Sequence, residues 1–256
     1  MRTPLALAAL ALIASPALAV DITAPGQVVP KRRTGVVQAD LVCAPGEGIA
    51  LENGATLKLD GHTLDGCSIT GVGGATERIR IAVRGPGAIH GAGISIAAGT
   101  LRVRDVVIQD PPLHGIYGAN GVNGGPSKID AADVQLSGSG GTGIEGTRVV
   151  VKDVTVDGFT DHGVVGWAKV DGKRLTVSGC GEGVFSAENV HLRSSQVTAS
   201  TAFGVIANLS VELTGSTVTG NGTDVASQIL PKLNRSTCGT SLNMQTATPW
   251  GVCSGD

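Results

Sequence analysis

The sequence predicts an all-β solenoid, in which the chain winds into stacked coils of similar length. A Gly followed by Ile or Val recurs at Gly143, Gly163, Gly183 and Gly204, in steps of 20, 20 and 21 residues. A period in this range with strand-like content is typical of solenoid repeats. Gly is abundant, at 39 of 256 residues, and aromatic residues make up only 2%. This composition suits a narrow aliphatic core with many turns.

The first 19 residues have the pattern of a secretory signal. Arg2 supplies a positive charge, residues 5–14 form an apolar segment, and Ala17-Leu18-Ala19 is a small-residue cleavage site. The apolar run is shorter than the ~20 residues of a membrane span. We therefore expect cleavage after Ala19, no membrane span, and a secreted or periplasmic protein. The alternative for this segment is a buried N-terminal helix.

The mature chain divides into three parts. Residues 20–47 are expected to form an N-terminal cap, because prolines interrupt short apolar alternations and because solenoids need atypical terminal units. Residues 48–227 are predicted to form about nine coils, and residues 228–256 a capping tail. The Gly-plus-β-branched marker falls at Gly48, Gly71, Gly93, Gly115, Gly143, Gly163, Gly183 and Gly204, with a degenerate ninth at Asp224.

A second apolar run in each coil alternates with period two, as in the segment VKDVTV at 151–156, which indicates strand. One coil, between Gly115 and Gly143, is 28 residues long, and the sequence predicts a loop at 118–125. Insertions in repeat proteins often lie on the binding face. The alternative is a loop without function, because long surface loops cost little stability.

The cysteines predict two disulfides in an oxidising environment. Cys43 and Cys67 are 24 residues apart, close to one coil, and Cys238 and Cys253 bracket the tail. The expected bonds are Cys43–Cys67 and Cys238–Cys253, with Cys180 as a buried free thiol, although sequence alone does not fix connectivity. No Cys-x-x-Cys or Cys/His cluster indicates zinc, so no metal site is predicted.

The charge balance is nearly neutral. The formal net charge is −2, and loss of Arg2 leaves 18 basic against 21 acidic residues, a net of −3. This balance indicates neither a nucleic acid nor an anionic membrane surface as partner. The length suits one domain, and a monomer is favoured over a trimer.

The repeat from Gly48 to Ser227, together with the segment GATLKLDGHTLDGC at 54–67, resembles right-handed parallel β-helix proteins of the pectin-lyase-like superfamily. The resemblance implies three parallel sheets, coils rising about 4.8 Å each, and a ligand groove on a side face. This group contains polysaccharide-degrading and epimerising enzymes as well as non-enzymatic surface proteins. Its catalytic patterns do not carry over, because the chain has no Asp-Asp pair and no Gly-His-Gly. No cofactor is predicted, and no column of acids supports the calcium ion that some members bind.

Stacking the coils on their Gly residues brings candidate site residues together. The candidates for catalysis are Tyr117, Glu145, Asp161 and His162, because Tyr with His suits elimination chemistry and Asp161 precedes His162 in sequence. The candidates for substrate binding are His114, Trp167, Glu182 and Phe185. Glu145 and Glu182 are expected ~10 Å apart, slightly wide for inverting hydrolysis, which uses ~6.5–9.5 Å.

Two classes of function remain open. The preferred interpretation is a secreted, non-catalytic module that binds a polysaccharide or serves as a cell-envelope scaffold. The alternative is a polysaccharide lyase, epimerase or hydrolase acting on an acidic or neutral glycan. Polar residues at β-helix turns are commonly only solvated, which favours the first interpretation. A trimeric tailspike-like fibre ranks third.

Overall fold

The computed structural model describes residues 19–73, 78–121 and 125–256, with backbone only for 120, 121 and 125. It is an all-β parallel solenoid of about ten coils, and the described ranges contain no helix. The predicted fold class is therefore confirmed. The predicted signal segment lies outside the described residues except for Ala19, and the predicted 118–125 loop lies partly outside them.

The coils are built from 27 short and long strands in the described ranges. The first nine are β1 (Val20–Ile22), β2 (Val28–Val29), β3 (Thr34–Val37), β4 (Leu41–Val42), β5 (Gly48–Leu51), β6 (Thr56–Lys58), β7 (Thr63–Asp65), β8 (Ser68–Gly71) and β9 (Ile79–Arg84). The next nine are β10 (Ala88–His90), β11 (Ile94–Ile96), β12 (Gly99–Gln109), β13 (His114–Gly118), β14 (Asn120–Gly121), β15 (Gly125–Ser137), β16 (Thr142–Asp157), β17 (His162–Ser178) and β18 (Glu182–Ser186). The last nine are β19 (Asn189–Arg193), β20 (Gln196–Thr198), β21 (Phe203–Ala207), β22 (Ser210–Thr214), β23 (Thr217–Thr219), β24 (Thr223–Ser227), β25 (Lys232–Asn234), β26 (Thr237–Cys238) and β27 (Ser241–Asn243).

These strands form three parallel sheets, which we call sheets I, II and III in the order the chain visits them within a coil. Sheet I contains β2, β5, β8, β11, β13, β18, β21, β24, β27 and the starts of β16 and β17. Sheet II contains β1, β3, β6, β9, β19, β22, β25 and the inner segments of the long strands. Sheet III contains β4, β7, β10, β20, β23, β26 and the ends of the long strands. The exception is β14, which pairs antiparallel with β15.

The core consists of aliphatic ladders that run along the solenoid axis. The sheet I ladder has one fully buried β-branched residue per coil: Ile49, Ile69, Ile94, Ile116, Ile144, Val164, Val184, Val205 and Val225. Each residue covers the one beneath it, so burial accrues between neighbouring coils and not within one.

One marker position in the structure differs from the prediction. Ile69, after Ser68, occupies the ladder, whereas Val72, after the predicted marker Gly71, is 37% exposed. Gly71 instead pairs with Leu51 at the far end of the strand, where a Cβ on it would lie 2.9 Å from Ile81 Cδ1. Gly71 is therefore also required by close packing, but at the end of the sheet I strand and not next to the ladder residue.

The marker glycines are required because the structure leaves no space for a Cβ atom at these positions. A Cβ on Gly163 would lie 2.5 Å from Val177 Cγ1 and 2.7 Å from the carbonyl oxygen of Gly183. Gly163 does not have a positive φ, so conformational freedom does not explain it. The sheet I backbone of one coil therefore packs directly against the sheet III ladder and the next coil.

The backbone conformation at the corner between sheets II and III accounts for the Asp in segments such as VKDVTV. One residue there adopts a left-handed conformation in most coils: Asp105, Asp133, Asp153, Arg174, Ser194 and Arg235. Asp tolerates this conformation better than most residues. Arg174 also makes a bidentate ion pair with Asp153 of the preceding coil, which ties the two corners together.

Both predicted disulfides are confirmed. Cys43–Cys67 joins successive coils, and Cys238–Cys253 joins the end of β26 to the tail. Two disulfides indicate an oxidising compartment, extracellular or periplasmic. Cys180 is a buried free thiol, as predicted, and burial raises its pKa, which disfavours a reactive thiolate.

Strand pairing also continues beyond residues 48–227. Strands β1–β4 already belong to sheets I, II and III at one end, and β25–β27 belong to them at the other. Across the described ranges, no helix is long and apolar enough to cross a membrane.

Candidate functional site

The two columns of candidate residues are aligned across sheet I as the Gly stacking predicts. Tyr117 pairs with Glu145, and this column continues through Val165 and Phe185. In the second column, His114 is followed by Thr142, His162 and Glu182. Adjacent coils therefore bring the side chains of these two columns onto one face of sheet I.

The first half of this site is centred on Glu145. His114 and Tyr117 stack with ring centroids 4.8 Å apart and an interplanar angle of 25°. His114 Nδ1 lies 3.5 Å from Glu145 Oε2, an ion-pair distance without hydrogen-bond alignment. The other carboxylate oxygen accepts a hydrogen bond of 2.9 Å from Trp167 Nε1. Glu145 is thus oriented by two rings from different coils.

The second half is centred on Phe185. His162 Nε2 lies 3.2 Å from Glu182 Oε2 on the next coil. The ring of Phe185 contacts His162 at a centroid distance of 5.8 Å and Trp167 edge-on at 5.9 Å. Because Trp167 touches both Glu145 and Phe185, the two halves form one surface. We call it the sheet I patch, and it contains His114, Tyr117, Glu145, His162, Trp167, Glu182 and Phe185.

A β-bulge explains how Trp167 reaches this patch. The pairing of β16 with β17 shifts register between Gly146 and Arg148, because β17 has one additional residue there. Bulges commonly redirect a side chain, and Trp167 is 38% exposed. The sequence contains a signal for this feature: the step is 20 residues from Ile144 to Val164 but 21 from Val149 to Val170.

Asp161 lies next to the patch without joining its pairs. Its backbone N–H donates to the carbonyl oxygen of Gly141, and its own carbonyl accepts from the N–H of Glu182. Among the described residues, its carboxylate makes no hydrogen bond or ion pair. The structure therefore brings seven of the eight candidates together and leaves Asp161 as a turn residue at the edge.

Trp167 is the most exposed residue of the patch, and the other six members are half-buried. The Trp167 residue is 38% exposed, while the Glu145 side chain is only 15% exposed. The Glu182 side chain, at 26%, is also partly covered. A ligand that approaches sheet I therefore meets the Trp167 ring before the carboxylates of Glu145 and Glu182. No group of three or more His, Cys, Asp or Glu able to hold a metal ion occurs within the described part of the chain.

Several depressions in the described ranges lie on another face. Three of them, with volumes of about 420, 300 and 430 Å³, lie on the outward side of sheet II. They are lined mainly by Lys, Arg and small residues, and none of the eight candidate residues lines them. Sequence reasoning missed this face, because a near-neutral net charge conceals how the charges are distributed. The alternating cations of RIRIAVR at 78–84 are the signal that marks it.

Comparison with known proteins leaves the family open. No protein-family model matches the chain, and no curated protein is significantly similar to it. The parallel β-solenoid is shown by the structure, whereas the resemblance to the pectin-lyase-like superfamily rests on the repeat pattern alone. Function must therefore be argued from the two surfaces described above.

Proposed function

We propose that the chain is a non-catalytic β-helix module that binds a glycan on the sheet I patch in an extracellular or periplasmic setting. The observation that carries the proposal is a set of aromatic rings beside two His–Glu pairs: Trp167 packs edge-on against Phe185, and Tyr117 stacks on His114. Aromatic rings with a polar partner suit ligands that have both apolar faces and hydroxyl edges, as sugars do.

The geometry supports binding more strongly than acid–base chemistry. Trp167 donates its N–H to Glu145, so the ring and the carboxylate fix one another. Preorganised side chains lose little conformational entropy when a ligand binds. The two His–Glu pairs also present imidazole and carboxylate edges that can exchange hydrogen bonds with sugar hydroxyls.

The test is binding of the full chain to a panel of soluble polysaccharides, namely xylan, mannan, dextran and polygalacturonate, by affinity electrophoresis. Trp167→Ala is expected to weaken binding by roughly five- to 150-fold, if stacking of a sugar contributes as much as the roughly 1–3 kcal/mol of a stacked nucleobase. Ile229→Ala, which removes an exposed apolar side chain outside the patch, is the matched control. Equal retardation of wild type and Trp167→Ala on every polymer would refute the proposal.

A lyase remains the second candidate because of one contact. Tyr117 stacks on His114, and His114 pairs with Glu145, which places a phenol, an imidazole and a carboxylate together. Such a group can move a proton from a uronate ring carbon to a leaving oxygen. Incubation with polygalacturonate would then give unsaturated product absorbance that Tyr117→Phe abolishes. Absence of product with all uronate polymers retires this candidate and leaves the binding proposal in place.

A further inference from the structure

The outward face of sheet II carries a band of cationic side chains. Outward positions alternate with the buried ladder, and Lys or Arg occupies them on successive coils; Lys58, Arg84 and Arg104 are direct register neighbours. Farther along the same column, Lys152, Lys173 and Arg193 are again direct neighbours. Like charges this close repel one another, so the band favours a bound anion.

Many of these cations have no carboxylate partner. Carboxylates neutralise part of the band. Asp130 lies 2.8 Å from Arg104 and 3.9 Å from Arg102. Asp171 lies 2.8 Å from Lys169 and 3.2 Å from Arg148, and Asp153 lies 3.7 Å from Lys152. Within residues 19–73, 78–121 and 125–256, no carboxylate oxygen lies within 4.0 Å of the charged nitrogens of the remaining members. These members are Lys58, Arg80, Arg84, Lys128, Lys173 and Arg193.

The band contains three adjoining depressions, which together we call the trough. The three depressions of about 420, 300 and 430 Å³ all include Lys128 in their linings. The first two also share Arg80 and Thr100, and the last two share Arg148. The trough therefore crosses several coils, as an elongated ligand requires.

The depression of about 420 Å³ has the most focused charge. Arg80 and Arg84 lie at the two ends of one strand, with Ala82 between them, and Arg102 is the register neighbour of Ala82 on the next coil. Lys128 completes the rim. The small side chain of Ala82 leaves space between long cationic ones.

We propose that this trough binds an extended glycan bearing phosphate or sulfate esters, with one ester group in the depression between Arg80, Arg84, Arg102 and Lys128. A carboxylate has two oxygens and is satisfied by a single bidentate guanidinium. An ester of phosphate or sulfate presents three terminal oxygens, and a phosphate monoester carries up to two charges. It can therefore engage several of the four cations at once.

Two features favour a glycan over a nucleic acid. The trough lining contains no Phe, Tyr or Trp, whereas single-stranded nucleic acids are usually held by stacking on aromatic rings. The two disulfides also indicate an oxidising compartment, where charged glycans are abundant. The concave trough fits a chain better than a flat membrane surface.

The experiment measures binding of the full chain to immobilised polymers matched in charge per chain and at one ionic strength. The probes are dextran sulfate, dextran phosphate, polygalacturonate, single-stranded DNA and neutral dextran. Dextran sulfate or dextran phosphate is expected to bind at least ~tenfold more tightly than polygalacturonate. The stronger of the two identifies the ester. Equal or tighter binding of DNA, equal or tighter binding of polygalacturonate to the Trp167→Ala variant, or no binding of either ester overturns the proposal.

Variants locate the site. Lys128→Gln is expected to weaken binding of the preferred ester polymer about tenfold, because it removes a charge-assisted contact shared by all three depressions. Lys232→Gln removes the same charge on sheet II outside the trough and is expected to change binding by less than about twofold. An equal effect of both substitutions overturns the trough as the site.

A last variant tests whether the trough and the sheet I patch are separate binding sites. Trp167→Ala, which tests the patch, is expected to leave binding of dextran sulfate and dextran phosphate unchanged. A loss equal to that of Lys128→Gln would show one shared site and overturn the separate trough. Arg84→Gln, at another exposed position, repeats the test if Lys128→Gln folds poorly, as judged by its thermal melt.

Discussion

At the residue scale, the positions of the repeated glycines are determined by close packing that leaves no space for a Cβ atom. Gly163 marks its coil because the Val177 side chain and the Gly183 carbonyl oxygen occupy the space that a Cβ would need. The same crowding recurs at Gly143 and Gly183. The glycine period that reveals the solenoid is therefore a consequence of close packing between sheets, and substitution by even one methyl group is expected to disturb it.

Gly163→Ala is expected to destabilise the protein by about 1–3 kcal/mol, because the added methyl group overpacks a well-filled core. The measurement is urea denaturation followed by circular dichroism. In the double variant with Val177→Ala, one of the two clashes disappears, so the loss is expected to be less than the sum of the single losses. Strict additivity would show that Val177 is not what excludes the side chain.

At the element scale, short strands are held in register by polar contacts at the corners between sheets. His90, at the end of β10, lies 3.0 Å from Asp65 Oδ1 on the preceding coil and 3.5 Å from Asp110 Oδ2 on the next. Asp224, at the start of β24, is only 2% exposed, and its carboxylate accepts four N–H hydrogen bonds of 2.7–3.0 Å from Asn221, Gly239 and Thr240. Such directional contacts set the register of neighbouring coils, which the non-directional packing of the aliphatic ladders does not do by itself.

His90 is expected to titrate above its ordinary value of 6.5, because the hydrogen bond to Asp65 raises its pKa against the opposing effect of burial, and the charge of Asp110 adds to the rise. A raised pKa in the folded state stabilises the protein below pH 6.5, and this contribution disappears as the pH rises through the folded value. Titration by NMR of the imidazole tests this, and Asp65→Asn is expected to lower the pKa. A wild-type pKa at or below 6.5 would contradict the assignment.

Asp224→Ala is expected to cost at least ~3 kcal/mol, since hydrogen bonds to a charged group contribute roughly 1.5–3 kcal/mol each and their donors would remain buried. Asp224→Asn retains one acceptor oxygen and is expected to cost less. Chemical denaturation compares the two, and Ser178→Ala, which removes one solvent-accessible hydrogen bond to Asp157 from a half-buried position, provides a mild control. Equal stability of Asp224→Ala and the wild type would show that water replaces the carboxylate.

At the scale of the whole molecule, the sheets differ in what their outward faces present: sheet I has aromatic rings, and sheet II has cations. The stacking and the columns containing Tyr117 and His162 follow from sequence, because the interior ladder fixes which positions are neighbours. Both disulfides agree with the cysteine spacing, which favours these pairings without fixing them. The cationic trough does not follow from net charge, because opposite charges cancel in a sum but not on separate faces. The contact between Trp167 and Glu145 depends on a β-bulge of one residue. Aligning the coils on their glycines alone does not predict this bulge.

Deleting residues 228–256 is expected to lower the melting temperature and cause aggregation, because it leaves β22, β23 and β24 without the neighbours β25, β26 and β27. A variant with Cys238→Ser and Cys253→Ser keeps those strands and loses only the 15-residue cross-link, worth about 3 kcal/mol in the chain-entropy account. Light scattering during a thermal scan distinguishes the two, with the truncated chain aggregating first. If the truncated chain does not aggregate and melts at the same temperature as the wild type, these last strands do not cap the solenoid.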